Sequence, residues 1–276
     1  YENHSFLVAP SDYSTLMGNS ELKAEKTITY EVGLWQELTE GMGLEVSLFY
    51  RDIYNLLSTR IISTFNQIEY GLYSNKDYGN ARGLEVTLDL GYGSFKGMAN
   101  YTLQYTRGNA DNPTQTFDRA GNNMDPVNRF IPMSWDQRHT LNATATYHPI
   151  KNSGISMVFS YGSGLPYTTE FIGVRTSFEN NAREPATYNV DMRSFYNFIL
   201  FEKVRVSAHI NVYNLFDIRN ELTVYNDTGR SNYTLLPTYT PQISGPGFNT
   251  LDEYLVRPDF YSSPRQVKIG FSISMK

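Results

Sequence analysis

Ser163, in "YGSGLPYT", and the pair Ser207 and His209, in "VRVSAHI", are the side chains that could supply a nucleophile and a base. "YGSGL" lacks the first Gly of a Gly-x-Ser-x-Gly elbow, the strained turn that exposes a catalytic serine. "GYGSFKG" misses the phosphate-cradling Gly-x-Gly-x-x-Gly spacing by one residue and reads as a turn. The four histidines, His4, His139, His148 and His209, show no metal-type spacing, and there is no cysteine to supply a thiolate. These stretches therefore match no established catalytic, metal-binding or cofactor motif. A hydrolase using Ser207 and His209 is the enzyme reading that remains.

Binding chemistry is better represented. Tyr70, Tyr73, Tyr78, Trp135 and Tyr167 offer stacking surfaces, and Arg129, Arg175 and Arg183 offer planar donors for oxyanions. Together they would suit a sugar, a peptide or a catecholate chelate. The plainer reading of each is a loop-packing aromatic or a solvated charge. A formal charge of −5 with no basic excess excludes nucleic acid as a partner.

The elements that must carry these residues are strands. Ile28, Tyr30, Val32 and Leu34 alternate with Thr29, Glu31, Gly33 and Trp35, so the stretch has one apolar face and one bearing Glu31 and Glu37. The same period recurs along the chain and predicts nine strands, near 27–38, 44–57, 80–90, 95–106, 136–148, 155–162, 187–198, 203–216 and 265–275. "TEGMG", "GYGS" and "PIKNSG" make short turns, whereas "FILFEK" turns without Gly or Pro. Long irregular segments are expected at about 58–78, 107–134, 163–186 and 219–263.

Alternating short and long connections are uncommon in compact soluble domains. They are the habit of outer-membrane barrels, whose strands show grease to lipid and polar groups to a wet lumen. Mean hydropathy is −0.43, and no stretch approaches the roughly 18 apolar residues of a membrane helix. Alternation hides the apolar content of a spanning strand, so a barrel is still allowed. Tyr50, Tyr105, Tyr147 and Tyr161 fall near strand ends, where an interfacial girdle belongs. The long segments are then expected at the cell surface and the short turns in the periplasm. Nine is odd, whereas bacterial single-chain barrels have even strand numbers. The chain, starting at Tyr1 without an initiator Met, is therefore expected to be a C-terminal piece of a larger barrel. Residues 1–26 would lie mostly in a surface loop and 27–276 would hold the strands.

Six motifs in order carry a resemblance. "LKAEKTITYEVGL", "YGNARGLEVTLDL", "WDQRHTLNATATY", "YGSGLPYT", "INVYNLFDIRN" and "SPRQVKIGFSISMK" resemble strand signatures of the TonB-dependent outer-membrane receptor family. Ala24 stands where that family has Pro, and Met275 and Lys276 where its last strand ends in an aromatic. The resemblance implies an all-β fold, the last nine strands of a 22-stranded antiparallel transmembrane barrel whose plug domain is not in this chain. It implies active import of a bulky nutrient across the outer membrane, powered by the TonB, ExbB and ExbD complex. The cargo class stays open among glycan, peptide, metal chelate and cobalamin, and a surface lipoprotein is a further possible partner. The competing readings are a passive porin or structural barrel, and an outer-membrane hydrolase. By resemblance, Glu31 and Glu85 would point into the lumen and pair with plug arginines.

Overall fold

The computed structural model describes residues 16–65, 69–121, 129–200, 204–239 and 257–275. Nine principal strands are found among them. They are β1 (Lys26–Thr39), β2 (Met42–Ser63), β3 (Glu69–Tyr92), β4 (Phe95–Gly108), β5 (His139–Tyr147), β6 (Ser153–Gly162), β7 (Thr187–Leu200), β8 (Val204–Tyr213) and β9 (Gln266–Met275). Their order in the sheet is their order in the chain, β9 through to β1. Every consecutive pair from β4 to β9 is antiparallel. No helix among the described residues is long and apolar enough to cross a membrane, and strands need no such helix.

The turns form where the sequence places φ-permissive residues. Gly41 (φ 79°) closes β1 onto β2, and Gly93 (φ 55°) closes β3 onto β4. Gly91 donates its N–H to the Gly41 carbonyl at 2.7 Å. A Cβ on Gly41 would strike that neighbouring backbone, so only glycine fits.

Register keeps the apolar and polar faces continuous from strand to strand. On one face Ala143 pairs with Ala99 and Phe159, Tyr161 with Leu141 and Tyr188, and Ile210 with Ser194 and Ile269. On the other face Asn142 pairs with Asn100 and Ser160, and Asn211 with Arg193 and Lys268. The apolar face is left uncovered. Ile269, Phe271 and Ile273 are 67, 69 and 72% exposed. Aqueous exposure of such a row would cost about 25 cal/mol per Å² of apolar surface, whereas lipid removes that cost. Val206 lies on the same face, paired with Phe198 and Ile273, and is 8% exposed.

Contacts divide the chain into two units. One comprises Tyr1–Glu31, Phe49–Arg82 and Tyr105–Asp136; the other comprises Val32–Leu48, Gly83–Gln104 and Gln137–Lys276. In the first unit the structure corrects the sequence reading. The expected irregular segment at 58–78 is mostly strand. β2 runs on to Ser63 and β3 begins at Glu69, giving strands of 22 and 24 residues. Packing explains the extension. Gly71 is walled in by Leu16, Thr59 and Phe117, and Thr59 donates its hydroxyl to the Pro113 carbonyl at 2.7 Å. Leu16–Met17 pairs in parallel with Gly71–Leu72, and a helix, α1 (Gln115–Gly121), lies in the 107–134 segment. Polar residues that look loop-like in isolation are thus buried under other parts of the chain. Ser58 and Thr59 are fully buried.

The described part of the expected N-terminal loop is also ordered on the strands. Asn75 accepts from the Lys23 amide at 2.6 Å and returns its own amide to the Lys23 carbonyl at 2.9 Å. Asn19 donates to the Tyr73 carbonyl at 3.0 Å. Residues 1–15 lie outside the described residues.

Candidate ligand-binding loops

The second unit holds the segments that follow β6 and β8. Where β6 ends, Ser163 accepts the His139 amide on its hydroxyl at 3.0 Å, and its own amide bonds the His139 carbonyl at 2.8 Å. Ser163 therefore holds a strand exit. A Cβ on Gly164 would collide with the carbonyl of Glu184, which explains the glycine in "YGSGLPYT". Pro166–Tyr167 then pairs with Ala182–Arg183, and Arg183 donates to the Gly164 carbonyl at 3.1 Å. Ser207 and His209 share a face of β8, but no hydrogen bond joins them; a Cβ on Gly270 would meet the His209 ring.

Beyond that ladder, a hairpin pairs Glu170–Phe171 with Val174–Arg175 through Ile172 (φ 50°) and Gly173 (φ 72°). The two segments are tied together. Glu170 donates its amide to the Asn226 carbonyl at 3.1 Å, and Phe171 meets Tyr239 edge-on at 5.3 Å between ring centroids. The Tyr167 hydroxyl lies against Gly229, where no side chain would fit. Burial, with the charges of Asp227 and Glu184, pushes the Tyr167 hydroxyl above its ordinary range. Burial also raises the Glu184 carboxyl.

The segment after β8 is stitched at its root. Asn214, buried and left-handed at φ 53°, accepts from the Ile218 amide and donates to the carbonyls of Ile218 and Ser263. Asp191 holds the Asn214 amide at 2.8 Å, and Asp217 holds the Arg265 amide at 2.8 Å. Asn220 exchanges two hydrogen bonds with the backbone of Tyr188, at 3.0 and 2.8 Å. Glu221 accepts from Arg230 at 2.6 Å and from the Ser231 amide at 2.6 Å. Burial works against that carboxylate's charge, but these bonds prevail and lower its pKa. The clustered Asn and Asp of "NVYNLFDIRNE" signal turns. Their long-range partners have no signature in the sequence.

The predicted ligand residues are divided between the two units. Tyr167, Arg175 and Arg183 belong to the second unit, and Arg175 is paired with Glu179. Tyr70, Tyr73, Tyr78, Arg129 and Trp135 belong to the first. Tyr70, Tyr73 and Tyr78 are strand residues of β3 rather than loop residues. Tyr78 bonds Asp52 through its hydroxyl, stacks on Phe130 at 5.9 Å and tilts against Tyr54 at 5.4 Å. Arg129 and Trp135 are exposed. Of the two glutamates, Glu31 is an exposed residue of β1 and Glu85 an exposed residue of β3. Asp136, in "WDQRH", is buried and accepts the Thr106 amide at 2.7 Å, a structural role not apparent in the sequence.

Residues 3–215 match the family described as TonB dependent receptor-like, beta-barrel. No curated protein matches the chain. Among solved structures it is similar to the ferric-catecholate import receptor Fiu of E. coli K12, at 17% identity and TM-score 0.50, over 77% of this chain and 26% of that one. It is similar to the outer membrane transporter YddB of Escherichia coli at 12% identity and TM-score 0.55, over 78% and 32%. It is also similar to FpvA of P. aeruginosa bound to heterologous pyoverdines, at 13% identity and TM-score 0.55, over 91% and 27%. At these identities the likeness is one of fold. The chain spans about a quarter to a third of the length of these proteins.

Proposed function

The chain belongs to the TonB-dependent receptor-like β-barrel family, a transport family of the outer membrane, and we propose that it is part of an active transporter that binds and imports a bulky nutrient. The cargo is a glycan, a peptide, a metal chelate or cobalamin, and the energy comes from the TonB, ExbB and ExbD complex acting through a plug domain. The observation that carries this reading is the uncovered apolar face, continuous in register from β4 to β9 and backed by a polar face. Such a sheet is stable where lipid replaces water on one side only. The segments after β6 and β8, stitched to each other and to the strand ends, support a preorganised surface for cargo. Tyr167 and Arg183 are held within it, and Arg175 stands at its hairpin. Tyr70, Tyr73, Tyr78, Arg129 and Trp135 form the second group of candidate cargo contacts.

Glu31 and Glu85 hold the plug through its arginines. Both are exposed carboxylates on the polar faces of their strands, and a guanidinium can pair bidentately with either. A surface lipoprotein is a further partner for a glycan or peptide cargo.

Growth of a strain deleted for the intact receptor, on each cargo class in turn, tests the reading. Loss of growth on one class, reproduced by deleting TonB, is expected. Unchanged growth on all four, with a constitutively open conductance of the purified receptor in a planar bilayer, would mean a passive pore. Glu31→Gln and Glu85→Gln should loosen the plug and raise that conductance.

A further inference from the structure

We propose that Lys96, Thr146, Ser156, Arg193, Asn211 and Lys268 form a track of hydrogen-bond donors on the polar face of β4 to β9, along which cargo bearing carboxylate, phosphate or sulfate groups is guided. The proposal rests on the transport reading above and narrows its cargo to anions.

Register sets the six side by side. Lys96 pairs with Thr146, Thr146 with Ser156, Ser156 with Arg193, Arg193 with Asn211, and Asn211 with Lys268. All share the polar face, since Lys96, Thr146 and Ser156 each stand four residues from Asn100, Asn142 and Ser160 on their own strands. Neighbouring strands are about 4.8 Å apart, so Arg193 and Lys268 are roughly 10 Å from one another across Asn211.

The row is not level. Lys96 follows Phe95 at the turn end of β4, and Thr146 precedes Tyr147 at the turn end of β5. Arg193 lies midway along β7, and Lys268 lies near Gln266 at the loop end of β9. In a barrel with strands tilted by roughly 40°, a row crossing six strands climbs about 15 Å. A docking patch for a fixed partner needs donors at one level only. Donors that continue from the loop side to the turn side suit a group that moves.

The donors are available. Lys96, Arg193 and Lys268 are exposed and make no ion pair among the described residues. Lys268 Nζ lies 5.1 Å over the Tyr213 ring, a contact that orients the ammonium and uses none of its protons. The hydroxyls of Thr146 and Ser156 bond each other at 3.0 Å, which occupies one of their two protons and leaves the other. Asp191 is the carboxylate nearest the row on this face, two residues from Arg193. Its Oδ1 is held by the Asn189 side chain and the Asn214 amide, each at 2.8 Å. Rows of Lys and Arg with neutral donors between them are how a polar wall selects anions.

The test reads the wall directly and does not depend on uptake, so its failure would leave the transport reading standing. Single thiols are placed in the intact purified receptor, otherwise cysteine-free, at Asn211→Cys and at Asn142→Cys, whose register neighbours Asn100 and Ser160 are neutral. Each is modified with methanethiosulfonates ending in a sulfonate or in a trimethylammonium group. The ratio of sulfonate to ammonium rates should be about tenfold higher at Asn211→Cys. Adding Arg193→Gln or Lys268→Gln should remove most of that excess, and Lys151→Gln, in the β5–β6 turn, should leave it. Inorganic pyrophosphate should slow the Asn211→Cys reaction saturably, with protection weakened about tenfold by Arg193→Gln. Heat-dependent gel mobility checks that each variant is folded. Equal ratios at the two positions, or no protection by pyrophosphate, overturns the proposal. So does an unreactive thiol at 211 in folded receptor, which would mean that the plug or a loop covers this wall.

Discussion

The side-chain amide of Asn214 donates to the backbone carbonyl of Ser263 at 2.9 Å, joining residues 49 positions apart. This bond closes the root of the longest segment in the chain. The same side chain bonds Ile218 in both directions, so one residue sets both the exit of β8 and the return toward β9. Asn214→Ala should cost about 2–4 kcal/mol of local stability, from lost hydrogen bonds and from a Cβ residue without polar compensation at positive φ. Asn214→Gly keeps the backbone geometry and should cost roughly half of that. Limited proteolysis of the intact receptor between 219 and 263 reads the difference: cleavage should rank Ala, then Gly, then wild type. Identical rates would show that the bonds do not hold the loop.

Glu184 and Glu221 should respond to pH in opposite directions. Burial lifts the Glu184 carboxyl above its ordinary 4.5, so between that value and the raised one the native state holds a proton that the unfolded chain has released. Its segment is therefore most stable below that value and weakens as pH rises through the native pKa. Glu221 titrates below 4.5 in the native state, so its stabilisation is present above that value and is lost as pH falls through the lowered one. Hydrogen-exchange protection of the 164–184 segment, measured against the intrinsic rate at each pH, should rise on acidification from neutral pH toward 4.5. That of 221–231 should stay constant over this range and fall only below it. Glu184→Gln should abolish the first response and leave the second.

Facing has a sharper test in adjacent residues. Ile210 lies on the apolar face between Ser194 and Ile269, and Asn211 lies on the polar face between Arg193 and Lys268. An arginine facing lipid near mid-bilayer costs about 2–4 kcal/mol, whereas one facing a wet lumen costs little. Ile210→Arg should therefore reduce folded receptor in the outer membrane far more than Asn211→Arg, scored by heat-dependent gel mobility. Equal reductions would contradict the assignment of faces.

Orientation follows from connection length. Asn226 stands in the long segment after β8, and Gly93 in the two-residue turn from β3 to β4. In an otherwise cysteine-free receptor, Asn226→Cys should react with an impermeant maleimide on intact cells, and Gly93→Cys only after lysis. Labelling of position 93 alone would invert the topology.

Much of this protein is decided locally. Period-two alternation depends only on neighbouring residues, so the strands and the sorting of Ile210 from Asn211 could be read directly. Turns at Gly41 and Gly93 were legible because few residues adopt their φ. What the sequence could not decide depends on residues far away in the chain. Ser58, Thr59 and the strand around Gly71 looked like loop until Leu16, Phe117 and Pro113 were packed against them. The aromatic and arginine candidates divide between two units because their positions depend on which strand end each segment returns to. Asn214 with Ser263, Asn220 with Tyr188 and Asp136 with Thr106 are bonds across 30 to 49 positions. Closing such distances is a property of the whole sheet. Pairing β7, β8 and β9 brings Tyr188 to Asn220 and Ser263 to Asn214, and no local pattern encodes those meetings.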